Sequence, residues 1–398
     1  MTFKGCNFQL WSKPNVIIIK LILMLSIVLV NQGCAGQAKK EPAKTVTVPE
    51  PIPVVTTISK EVFRIDDRVI EVPIQWSKDS RDLYYVTYQS DKSVPLEIWK
   101  FDGQKKVKVA QLDYREEYNN YHLGATIKRS SWSPSNDMLG FILEIGWGNL
   151  YQLVILNVKT GKIEFIDNIY DFDWHPTEDK LVLVKLFDKL AEPPYLKTIA
   201  MAYDLAEDQL TELPGLPKDI LAVAFDNSGS LYVAEMESQY VFQVFRIDSE
   251  GNKQYLWSIR GRYVELGKHL LPSLDRSRIA LIYSHEKGRI VMLHDVTRQE
   301  TKEVFRGDVK EFSWSDVKEV SWGEGNTLQL VISERENWTT KILLFAGEDS
   351  ITVEALFPLV PPADDKKRHV FPSTLAPDNR KFLVEDFESY GIDIVELN

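Results

Sequence analysis

The stretch Trp132-Ser133-Pro134-Ser135-Asn136-Asp137-Met138-Leu139 decides the fold, because it returns along the chain. Trp76-Ser77-Lys78-Asp79-Ser80-Arg81-Asp82-Leu83 precedes it and Trp174-His175-Pro176-Thr177-Glu178-Asp179-Lys180-Leu181 follows. Weaker copies begin at Phe225, Pro272, Trp322 and Leu375. The first positions therefore run 76, 132, 174, 225, 272, 322 and 375, a step of about 50 residues in seven copies. A period of that size outranks any single motif, since each unit is then one supersecondary element that buries its faces against its neighbours.

Every copy has one grammar. A short apolar strand ends in an aromatic or apolar residue, a turn rich in Ser, Pro, Asp, Asn or Gly reverses the chain, and a second apolar strand follows. A third strand comes next, as in Tyr151 to Leu156, Val241 to Ile247 and Arg289 to Leu293. Downstream of the amino-terminal region no helical period longer than about ten residues interrupts this pattern. Repeated three- to four-stranded sheets at such spacing predict an all-β chain, a β-propeller over residues 56–398. Seven blades match the seven copies, with six or eight left open, and two unrelated β domains are the alternative fold.

The Trp-Ser-Pro-x-x-x-x-Leu core of the second copy resembles the repeat of TolB-type propellers, which are WD40-like and similar to the propeller of prolyl oligopeptidases. The resemblance covers roughly residues 66–398. It implies a ring closed by pairing an early strand with the last blade, so residues 62–72 are expected beside the final strand, Ile392 to Leu397.

The amino terminus has its own composition. Residues 1–33 hold Lys4, Lys13 and Lys20, no acidic residue and an uninterrupted apolar core from Leu21 to Val30. That core suits a removed secretory signal and is short of the roughly 20 residues that cross a bilayer. Asn31-Gln32-Gly33-Cys34 then resembles a bacterial lipoprotein lipobox, with Asn31 where the family usually has leucine. The resemblance implies a signal peptide over 1–33, a diacylated Cys34 as the mature terminus, and an extracytoplasmic, membrane-anchored location in the cell envelope. An uncleaved span from Pro14 to Val30, with Lys20 reaching toward the headgroups, is the alternative. Residues 34–55 carry Pro42, Pro49, Pro51 and Pro53 and read as an extended tether.

The 398 residues contain only two cysteines, Cys6 and Cys34, so no disulfide framework or cysteine metal site is available downstream. The net charge of −11 falls to −14 when the three lysines of the signal are removed. An acidic chain without a basic run is not expected to bind nucleic acid.

No Gly-x-Ser-x-Gly elbow, P-loop, dinucleotide fingerprint or His-Glu-x-x-His site occurs. The hydrolase half of the resembling peptidases is therefore not expected. The six histidines form no pair at metal-ligand spacing, His175 reads as a turn residue, and Asp226-Asn227-Ser228-Gly229 reads as a plain turn rather than a calcium loop. Neither metal nor cofactor is expected. Two segments exceed what the repeat requires, Asp113 to His122 and Phe187 to Tyr195. In resembling propellers, such loops share one face around the central channel. Tyr114, Glu116, Glu117, Tyr118, Tyr121, Trp147 and Tyr195 are thus the candidate ligand-binding residues, suited to a peptide amine or a sugar face. A solvated acidic loop is the plain alternative. The sequence-based expectation is a monomeric, non-catalytic binding or scaffold protein with a protein or peptide partner. The rival is a propeller enzyme, a lyase or glycosidase acting on carbohydrate.

Overall fold

The chain divides into two compact units, Met1–Pro51 and Ile52–Asn398. The computed structural model describes residues 54–65, 75–87, 96–112, 125–145, 150–189, 196–217, 219–238, 241–260, 270–285, 288–306, 317–334, 339–346, 349–356, 370–386 and 391–397, all in the second unit. The signal, Cys34 and most of the tether lie outside them.

β1 (Val54–Ile65) precedes a sheet made of β2 (Gln75–Trp76), β3 (Leu83–Thr87), β4 (Leu96–Phe101) and β5 (Lys106–Leu112), paired in that order. The second sheet holds β6 (Ala125–Trp132), β7 (Met138–Ile145), β8 (Leu150–Asn157) and β9 (Ile163–Asp167). The third holds β10 (Ile169–Trp174), β11 (Lys180–Lys189), β12 (Leu196–Asp204) and β13 (Gln209–Glu212). The fourth is β14 (Ile220–Phe225), β15 (Leu231–Ser238), β16 (Val241–Ile247) and β17 (Lys253–Arg260). The fifth is β18 (Leu270–Pro272), β19 (Arg278–His285), β20 (Gly288–Asp295) and β21 (Glu300–Arg306). The remaining strands are β22 (Val317–Gly323), β23 (Thr327–Glu334), β24 (Thr339–Ala346), β25 (Asp349–Leu356), β26 (Val370–Leu375), β27 (Lys381–Asp386) and β28 (Gly391–Leu397). Together with β1 they make one eight-stranded sheet, in the order β22-β23-β24-β25-β1-β28-β27-β26.

The expected β-propeller is present, but with six sheets rather than seven separate blades. The cause is β1. Its first half runs parallel to β25, from Val54 beside Thr352 to Ile58 beside Leu356. Its second half runs antiparallel to β28, from Ser59 beside Leu397 to Ile65 beside Ile392. One strand thereby hydrogen-bonds the sixth and seventh repeats together. The closing pair was expected from residues 62–72; the strand that makes it begins earlier, at Val54.

Position five of the repeat explains its turn chemistry. Ser80, Asn136, Gly229, Arg276, Asn326 and Asn379 stand there, all at φ between 57° and 79°. Glycine reaches this left-handed region freely and asparagine readily, so Asn and Gly recur for a conformational reason. The aromatic that opens the turn has a second role. Trp132 donates its indole N–H to the Trp76 carbonyl at 2.8 Å, Trp174 to Ser131 at 3.0 Å and Trp322 to Leu271 at 3.0 Å. Equivalent ends of successive first strands are thereby pinned side by side, which makes these strands run in one direction around the channel.

Apolar clusters fill the gaps between sheets. Tyr84, Trp132 and Phe141 lie between the first and second, Phe172, Trp174 and Ile142 between the second and third, and Trp76, Leu83, Leu383 and Ile394 where the last repeat meets the first. With no disulfide in the described residues, this interleaving of large side chains holds the ring.

His294 sits in one such gap, 1 % exposed, against Trp257 and Tyr232 with ring centroids 5.1 and 5.5 Å away. Its Nδ1 shares a hydrogen with Thr301 Oγ1 at 2.9 Å and its Nε2 has no partner. Burial pushes its pKa down to about 4 from 6.5, opposed by Asp295 and Asp226. The unfolded chain takes up this proton near pH 6.5 and the folded one does not, so His294 lowers stability progressively as pH falls through that window. Asp171 works in the opposite sense: burial pushes it up to about 6 from 3.8, so its contribution is lost as pH rises through 6. The two must be separated by substitution. Stability of His294→Phe, followed by denaturant unfolding, is expected to fall less than wild type between pH 7 and pH 4.5; equal slopes would refute the assignment.

Candidate functional site

Tyr114, Glu116, Glu117, Tyr118, Tyr121, Trp147 and Tyr195 all lie outside the described residues. The strands that flank them are described. Segment 113–124 leads into Ala125, segment 146–149 joins Ile145 to Leu150, and segment 190–195 joins Lys189 to Leu196. Ala125 pairs with Ile145, Ile145 with Leu150 and Lys189 with Leu196. All three connections thus leave from the end at which the first strands β6 and β10 begin. Because the first strands run in one direction, that end is one face of the propeller.

A cavity among the described residues opens on the other face. It has a volume of about 400 Å³ and is lined by the last residues of first strands and by the repeat turns, from Trp76 and Lys78 through Trp132, Arg276 and Trp322 to Pro377. The turns are tied around it. Ser80 Oγ accepts from the Asp378 N–H at 2.8 Å, Lys78 Nζ donates to the Ser133 carbonyl at 3.3 Å, and Asp275 N–H donates to Asn326 at 3.3 Å.

Below the turns, charges fill the channel. In β10 the apolar face of Phe172 and Trp174 alternates with Asp171 and Asp173, both buried. A first strand has one edge without a strand partner, and its N–H groups must be satisfied elsewhere. The two aspartates do this for β14: Asp171 accepts from the Val223 N–H at 2.8 Å and Asp173 from the Phe225 N–H at 2.7 Å. Arg129 of β6 pairs with Asp171 and reaches Asp173 at 3.9 Å. Arg276 grips Asp173 from the fifth sheet, at 2.6 and 3.3 Å, and donates to the Phe225 carbonyl at 3.0 Å. Four sheets are thus joined through two carboxylates and two guanidiniums.

Arg276 does so from a left-handed backbone, φ 58°, where the five other copies with that backbone carry Asn, Gly or Ser. For a side chain with no local Asx-type bond this costs about 1–2 kcal/mol, so the cluster must offset it. Lys78 lines the cavity without a carboxylate partner within 4 Å among the described residues, and burial together with the Arg276 charge lowers its pKa.

His175 stacks edge-on against Phe225 at 5.1 Å; Asp226 Oδ1 accepts from Ser228 N–H, Ser228 Oγ and Ser230 N–H at 2.6 to 2.9 Å, and its Oδ2 meets Arg246 Nε at 3.4 Å. Arg129, Asp171, Asp173 and Arg276 were not singled out from sequence, although charged residues alternating within an apolar first strand, Ile-Tyr-Asp-Phe-Asp-Trp, were a legible signal.

No protein-family profile and no curated protein matches the chain. Solved structures do. An oligogalacturonate lyase in complex with manganese superposes with TM-score 0.55 at 11 % identity, over 85 % of this chain and 93 % of that one. TolB from Acinetobacter baumannii gives 0.41 at 14 % identity, over 70 % and 67 %, and a prolyl endopeptidase gives 0.47 at 14 %, over 84 % and 50 %. The chain spans half the length of that endopeptidase. These likenesses are of fold alone, and the lyase superposition agrees with the β-propeller read from the repeats.

Proposed function

We propose that this chain is a non-catalytic binding propeller of the bacterial envelope, anchored by a lipid on Cys34, which recognises a protein or peptide partner on the face from which segments 113–124, 146–149 and 190–195 leave. The observation that carries the reading is the register of the flanking strands, Ala125 beside Ile145 and Lys189 beside Leu196. The strand ends that flank the segments of Tyr114, Glu116, Glu117, Tyr118, Tyr121, Trp147 and Tyr195 share one face, which supports a common binding surface there. Aromatic rings beside carboxylates on a rigid ring suit a partner with apolar and cationic groups. A binding role is further supported by the channel: Asp171 and Asp173 are each held by guanidiniums and backbone N–H groups, which is a structural use of carboxylates rather than an acid–base one.

Two measurements test this. Mass analysis of the mature amino terminus is expected to find diacylated Cys34, and Cys34→Ser is expected to release the protein from membranes; an intact Met1 would contradict the anchor. Substitution of Glu116, Glu117 and Trp147 by alanine is expected to abolish recovery of the partner while leaving the melting temperature unchanged; unchanged recovery would contradict the face.

A further inference from the structure

We propose that the turn-face mouth of the channel is a second binding site, for a small apolar monocarboxylate. It is independent of the partner face, since the two open at opposite ends of the first strands.

Three observations lead there. First, the cavity of about 400 Å³ combines apolar walls, among them Trp132, Trp322, Pro134 and Pro377, with three cations, Lys78, Arg129 and Arg276. Second, the cations are not all matched. Asp171 and Asp173 answer Arg129 and Arg276, whereas among the described residues Lys78 Nζ donates only to the Ser133 carbonyl. Asp275 also lines the cavity, but its carboxylate is held within its own turn by Ser273 Oγ at 2.8 Å, Ser277 N–H at 2.9 Å and Ser277 Oγ at 2.8 Å. The Lys78 ammonium has three N–H donors, and a carboxylate supplies four lone-pair sites to meet them. Third, Arg276 is placed at the cavity from a left-handed position that, in the five other copies with that backbone, holds Asn, Gly or Ser. Strained backbone of this kind collects at ligand sites, where the side chain rather than the turn dictates the residue.

Burial, and secondly the Arg276 charge, lower the pKa of Lys78. An anion between Lys78 and Arg276 relieves both. Lys78, with no carboxylate within 4 Å among the described residues, calls for one negative charge beside it, and the indole and proline walls call for an apolar body next to it. That combination describes an aromatic or aliphatic acid more closely than inorganic phosphate.

Isothermal titration of the full chain with 3-phenylpropionate, 3-phenylpropionamide and inorganic phosphate tests this. The acid is expected to bind in the micromolar to millimolar range, with the amide and phosphate each weaker by about tenfold or more, the size of one charge-assisted contact. Lys78→Met, which keeps the stem and removes the charge, is expected to weaken the acid by about tenfold, and Lys78→Arg to restore it. Absence of binding at millimolar acid, equal binding of the amide or of phosphate, or an undiminished affinity in Lys78→Met would each overturn the proposal. Melting curves of both variants show whether they fold; if Lys78→Met does not, the comparison of acid, amide and phosphate on the unaltered chain decides.

Discussion

Asp173→Ala is expected to be among the most damaging single substitutions in the chain, lowering unfolding free energy by about 3–5 kcal/mol. Asp173 is fully buried and touches neighbours from three other sheets: Arg276 at 2.6 Å, the Phe225 N–H at 2.7 Å and Arg129 at 3.9 Å. Removing it leaves the Arg276 guanidinium buried without its carboxylate, while Arg129 keeps Asp171, and strands the Phe225 backbone donor. The cost is that of uncompensated charge, which exceeds the value of the pair itself. Combining it with Arg276→Asn removes one of the cations and gives the turn a residue that favours the left-handed backbone. The double variant is therefore expected to recover part of the loss. Denaturant unfolding at pH 7 measures both, and a loss below about 1 kcal/mol in the single variant would show that the cluster does not hold the ring.

The second large effect concerns closure. A chain beginning at residue 66 lacks β1, which lies between β25 and β28 and pairs with the first through Val54–Ile58 and with the second through Ser59–Ile65. Its removal exposes two strand edges at once, each a row of unpaired N–H and C=O groups. It also takes Ile65 from the cluster in which Trp76, Leu83, Leu383 and Ile394 join the last repeat to the first. The shortened chain is expected to lose cooperative thermal unfolding and to associate. Because the lost contacts are mainly backbone ladders, a synthetic peptide of residues 54–65 is expected to restore a cooperative transition by strand addition. A shortened chain that melts as wild type, monomeric, would show that the ring closes without β1.

How much of this was legible follows from what repeats and what does not. The Trp-Ser-Pro turn recurs because three demands coincide in it: an indole that bonds the preceding first strand, a reversal, and a left-handed residue at its fifth position. Sequence periodicity captures such coincidence directly, so the all-β ring and its third strands were readable. The sheet count was not. Seven turns were counted correctly, but whether repeats share a sheet depends on the partners of β1, whose pairing spans nearly the whole unit and leaves no local trace. The charged channel was half-visible: Asp171 and Asp173 alternate with Phe172 and Trp174, yet their partners Arg129 and Arg276 stand 42 and 103 residues away and only closure of the ring brings them in. The proposed partner face rests on strand register, since its side chains lie outside the described residues.

Site-specific photo-cross-linking in cells tests the proposed function most directly. A photoreactive side chain at position 118 or 147 is expected to capture one discrete partner, whereas the same group at exposed Ser135 on the turn face captures none. Capture from position 135 alone, or from none of the three, would contradict the account.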